Sequence, residues 1–155
     1  MTEFRPRLFS SDAEIVRIGE GLLARTLPRA DWTHEAHLAT TTYLLTHRPD
    51  IAIDVELPGI IRRYNESVGG VNSDSEGYHE TITRVYLHGV RLFLAEGGVV
   101  PSGTITGRSL HELINDLLLS PIGRRDWPLR FYSRDRLFSV DARRAFVPPD
   151  LAALP

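Results

Sequence analysis

The chain has 155 residues, 42% apolar and 25% charged, with 12 Gly, 10 Pro and no Cys. That length suits one domain able to bury its own core, and the lack of Cys excludes a disulfide framework, a thiol nucleophile, Cys-ligated zinc and iron–sulfur chemistry. Eighteen basic residues against 20 acidic give a net charge of −2, which argues against a nucleic-acid partner, and because every basic residue is Arg, Schiff-base and lysine-base chemistry are excluded as well.

The periodicity is helical nearly throughout. Ser11 or Asp12 can cap a first helix that buries Ile15, Ile18, Leu22 and Leu23 and ends near Pro28. A second starts around Asp31–Thr33 and runs to about His47, with Leu38, Leu44 and Leu45 among its apolar positions. A third starts near Asp54, presents Leu57, Ile61, Tyr64 and Val68 as one stripe, and stops at Gly69-Gly70. Pro58 is compatible with it only in the first turn. After the polar loop Val71–Gly77, a fourth helix spans Glu76 to about Glu96, with a stripe of His79, Thr83, Tyr86, Val90 and Phe93. Val99–Gly107 reads as a turn-rich connector. Ser109 and Glu112 form a capping box for a fifth helix with Leu110, Ile114, Leu117 and Leu118 inward, and Pro121 ends it.

The last third differs. Between Arg124 and Arg144 stand seven Arg and three Asp. Trp127-Pro128 reads as a turn, Ser133 and Ser139 can each cap a short helix, and Pro148-Pro149 ends the last. Gly98–Ile105 and Ile51–Val55 are the only strand candidates. The expected architecture is a single all-α domain over residues 1–155: a bundle of about five helices with an irregular Arg-rich C-terminal segment, 124–155, capping it. No apolar run approaches the roughly 20 residues that cross a bilayer, and the N-terminal stretch lacks a signal-peptide core. The expected setting is the cytoplasm of a bacterium.

The candidate chemistry lies with three of the six His. His34 and His37 stand at i and i+3 near the start of the second helix, where their side chains share a face. His79 stands early in the fourth. If those helix starts meet, three imidazoles converge, and helix N-termini favour the neutral form that binds a metal or accepts a proton. Three neutral ligands with an open position would hold a divalent metal, as in hydrolytic zinc enzymes. Glu76, at Glu-x-x-His spacing from His79, can complete that shell or form a capping box with Ser73. Glu80 is the first candidate for acid–base work, with Glu35 and Glu76 behind it; its competing role is an ion pair with Arg84. Asn65 can orient a substrate or a His, or close a helix. In PheTyrSerArgAspArgLeuPheSer (131–139), Arg134 and Tyr132 are candidate substrate contacts, Arg134 as a clamp for carboxylate or phosphate. The alternative for this stretch is a plug made by Phe131, Leu137 and Phe138. His47, His88 and His111 belong to the surface or to helix ends.

TrpThrHisGluAlaHisLeu (32–38), GlyTyrHisGluThrIleThr (77–83) and TyrSerArgAspArgLeuPheSer (132–139) together resemble a small bacterial family of unknown function with WTHxAHL and GYHETxT motifs. At the level of architecture, a small bundle with a His triad is similar to the DinB/YfiT-type helical bundles, and that similarity implies a divalent metal, Zn or Ni, held by His from separate helices. In that group the paired His come late in the chain; here they come early. The leading expectation is a metal-dependent hydrolase or transferase acting on a small, anionic molecule. The alternatives are a metal-free His/Glu acid–base enzyme, and a non-catalytic ligand-binding or dimerisation module; a homodimer is compatible with each.

Overall fold

Short polar side chains open nearly every helix of the computed structural model, which describes residues 5–97 and 108–155. Ser11 accepts from the Glu14 N–H and starts α1, Asp12–Ala24. Thr33 accepts from the Ala36 N–H and starts α2, His34–His47. Helix α3, Ile53–Ser67, has no side-chain cap. Helix α4 is Glu80–Glu96. Ser109 starts α5, Leu110–Leu119. Ser133 and Ser139 start the short helices α6, Arg134–Leu137, and α7, Val140–Arg144. Each such cap satisfies an N–H that the helix itself leaves without a partner.

Two boundaries depart from expectation. Pro58 lies inside α3, beyond its first turn. Its ring removes the hydrogen bond to the carbonyl of Asp54, but Asp54 is exposed, so water can serve that carbonyl. Helix α4 begins four residues later than Glu76, because His79 is its N-cap. Ile51–Val55 is not a strand, since α3 starts within it, and among the described residues no strand occurs. Gly98–Ile105 and the connector Val99–Gly107 lie outside the described residues.

Helix α1 packs on α2, α3 and α5, and α2 also meets α4 and α5. The main core gathers Ile15, Ile18, Leu22, Leu38, Leu44, Leu57, Tyr64, Val90, Ile114 and Leu117. A second cluster is built by Val85, Trp127, Tyr132 and Leu137, so the C-terminal segment seals the other side of α4. That segment is more regular than expected: 3₁₀ turns at Pro121–Gly123 and Trp127–Arg130 lead into α6 and α7. Leu137 is buried in it and Phe131 packs against it, whereas Phe138 is exposed. Gly89 lets α4 and the segment approach closely, because a Cβ there would stand 2.8 Å from the Trp127 ring. Among the described residues, no helix is long and apolar enough to cross a membrane.

Candidate functional site

Two adjoining cavities are lined by residues of α2, α3 and α4. The larger, about 560 Å³, is walled by α3, the loop 69–77 and the start of α4. The smaller, about 370 Å³, runs along α2 between Leu57, Ile61 and Tyr86. Trp32, His37, Ile61, Ile82 and Thr83 line both.

His37 is the partition between them. Its ring stacks on Trp32, centroids 3.8 Å apart and planes inclined by 25°. Neither ring nitrogen makes a hydrogen bond to a described residue. The residue is exposed through the cavities, but protein atoms crowd around the ring, and the resulting loss of bulk water together with the nearby His34 pushes its pKa down to about 3. Water in the cavities opposes part of that shift; the direction stands, and the imidazole is neutral at pH 7. It offers one N–H and one lone pair to an occupant.

His34 lines the smaller cavity. Its Nε2 lies 2.9 Å from the Gly123 carbonyl, so that nitrogen carries the proton. Burial lowers its pKa. The ring of Tyr86 meets it edge-on at 5.5 Å.

His79 lines the larger cavity but has no free nitrogen. It is the N-cap of α4: Nδ1 accepts from the Ile82 N–H at 3.1 Å. Nε2 donates to the Leu137 carbonyl at 2.9 Å. Burial lowers its pKa too, and a second proton would have to displace the Ile82 N–H from Nδ1. The three-His shell therefore does not fit these residues. A metal needs a lone pair from each ligand, and His79 has spent both nitrogens. Among the described residues no group of three or more His, Asp or Glu is disposed to hold a metal ion.

The other candidates separate in the same way. Glu76 is exposed and lines the larger cavity, but it precedes α4; Glu76 and His79 do not share a helical face, and the Ser73–Glu76 box does not open a helix. Glu80 turns away toward a recess of about 20 Å³ between α3 and α4. Its carboxylate accepts from the Tyr78 hydroxyl and pairs with Arg84 at 3.2 Å. Glu35 is buried at the opposite side of α2, beside Arg7 and Arg17. Tyr132 is buried and donates to the Val147 carbonyl at 2.7 Å. Arg134 is exposed, with its guanidinium 6.0 Å from the Phe138 ring. Neither lines a cavity with the His.

Asn65 does line the larger cavity. Its Nδ2 donates to Asn72 Oδ1 at 3.1 Å, and the same oxygen accepts from the Tyr78 N–H at 3.0 Å. Asn65 thus positions the loop. Gly77 has φ +84° within it, and a Cβ there would stand 2.3 Å from the Val71 carbonyl oxygen. From outside, Arg143 donates to the Gly77 carbonyl at 3.0 Å and Arg144 makes a two-point pair with Asp74 at 2.7 and 2.6 Å.

Sequence reasoning misses two cations and a hydroxyl. Arg29 lines the larger cavity and Arg125 the smaller, and neither forms an ion pair among the described residues. Thr40 lines the smaller cavity. The spacing His34, His37, Thr40, each three apart, places Thr40 beside the His face and is the signal that would have found it. No signal singles out Arg29 or Arg125 among 18 arginines. No protein-family model, curated protein or solved structure matches this chain.

Proposed function

We propose that the paired cavities bind a small anionic molecule and that His37, whose lowered pKa the charge of the bound anion raises again toward neutrality, acts on it as a metal-free general acid–base. The observation that carries this reading is the His37 ring: neutral, open to both cavities, and with both nitrogens uncommitted among the described residues. An imidazole oriented by stacking keeps a fixed direction for proton transfer without spending a nitrogen on a protein partner. Arg29 and Arg125 supply positive charge beside the two cavities, suited to carboxylate or phosphate. This is the acid–base alternative with His37 in place of Glu80, because Glu80 is committed to Tyr78 and Arg84.

The test follows the imidazole nitrogens of untagged protein by NMR during titration with acetate, inorganic phosphate and phenylpropionate. At least one anion should shift the His37 signals, and His37→Gln should leave binding measurable while removing the proton relay. If none of the anions moves His37, the reading fails. Stoichiometric zinc or nickel, removable by chelator and lost in His37→Ala, would overturn its metal-free part.

A further inference from the structure

In the smaller cavity His34 offers a lone pair and helps to place a cation. Its Nε2–H donates to the Gly123 carbonyl at 2.9 Å, which fixes the tautomer and leaves Nδ1 as an acceptor. Nδ1 makes no hydrogen bond among the described residues. Nor is it sealed. His34 is half-buried, and among the described residues short of full exposure Thr40 Oγ1 is the one side-chain polar atom both closed to solvent and unpaired. The lone pair of His34 is therefore within reach of an occupant. The bond to Gly123 also ties down the turn that carries Arg125. Gly123 ends the 3₁₀ turn Pro121–Gly123, and the next carbonyl, that of Arg124, accepts from the Tyr86 hydroxyl at 2.6 Å. Two side chains that line the cavity thus pin the backbone just ahead of Arg125, which lines it too. Burial, and behind it the Arg125 charge, keep the His34 ring neutral. Leu57, Ile61 and Ile82 supply apolar wall in the same cavity.

Resting on the anion-binding reading of this site, we infer that the smaller cavity takes an α-hydroxycarboxylate with an apolar side chain, the carboxylate meeting Arg125 and the α-hydroxyl donating to His34 Nδ1. In such a molecule the carboxylate and the hydroxyl stand on adjacent carbons, so a cation and a lone pair held on neighbouring pieces of chain match it. The apolar side chain lies against Leu57, Ile61 and Ile82. A neutral His34 can accept through Nδ1 but cannot donate there, so an ether oxygen in place of the hydroxyl gains nothing.

The test compares phenylpropionate, the two enantiomers of phenyllactate and the O-methyl ethers of both, by calorimetry and by the imidazole nitrogen NMR signals. One phenyllactate enantiomer should bind wild-type protein about 10-fold more tightly than phenylpropionate and move the His34 Nδ1 signal further. Its O-methyl ether should bind no more tightly than phenylpropionate. Arg125→Gln should weaken phenylpropionate and phenyllactate alike, by about 10-fold. Equal affinities for phenyllactate and phenylpropionate, an ether that matches phenyllactate, or an Nδ1 signal that phenyllactate moves no further overturns the His34 assignment. Unchanged affinities in Arg125→Gln overturn that of Arg125. Either result leaves the anion-binding reading standing. If no probe binds or moves His37, that reading falls and this one with it.

Discussion

His79→Ala should destabilise the fold substantially, and the expected loss can be assembled from the hydrogen bonds of one ring. His79 is 8% exposed. Its Nδ1 caps α4 through the Ile82 N–H, and losing an N-cap costs about 1 kcal/mol. Its Nε2 serves the Leu137 carbonyl, and leaving a buried carbonyl unpaired costs about 1–3 kcal/mol. The sum is about 3 kcal/mol, which for a domain of this size lowers the midpoint of thermal unfolding by roughly 6–12 °C. His79→Asn separates the two contributions. Asn is a strong N-cap but too short to reach Leu137, so it should recover about 1 kcal/mol. Urea unfolding of the three proteins, read by far-UV circular dichroism, gives both differences. An alanine variant within about 0.5 kcal/mol of wild type, or an asparagine variant no better than alanine, would refute the assignment of both ring nitrogens.

Acid should destabilise the protein from the neutral side. His34, His37 and His79 all have pKa values below 6.5, chiefly because burial penalises the charged ring. Between those folded values and 6.5 the unfolded chain binds more protons, so stability rises with pH across that window, is complete above it, and is lost on acidification toward the folded values. Urea midpoints should fall as the pH is lowered through that range, and His37→Gln should flatten the slope. Gly89→Ala forces a methyl group against Trp127 and Ile122, at 2.8 and 3.0 Å, and should cost about 1–3 kcal/mol in urea unfolding. Glu80→Gln removes the pair with half-exposed Arg84 and should change stability by less than about 1 kcal/mol. Its affinity for phenylpropionate should match wild type, because Glu80 faces a separate recess.

The caps were legible because they are local. Ser11, Thr33, Ser109, Ser133 and Ser139 each open a helix where the sequence predicts one. The start of α4 was not, because its cap is a histidine, while Ser73 and Glu76 offered the ordinary signature a few residues too early. The common face of His34 and His37 followed from helical spacing, and both rings line the smaller cavity. The fate of their nitrogens did not. His34 is bound to a carbonyl 89 residues away, and His79 to one 58 residues away. No periodicity reports which distant main-chain oxygen an imidazole will meet. Arg29 and Arg125 were hidden for the same reason, since their value depends on which of many like residues face the cavities.

The flat contact between Trp32 and His37 has an optical consequence. The chain contains two indoles, and one of them lies 3.8 Å from the imidazole at the centre of the site. A protonated imidazole at that range drains an excited indole, and a neutral one does so far less. The emission of Trp32, read in a Trp127→Phe background, is therefore a built-in gauge of the charge on its neighbour, needing neither dye nor isotope.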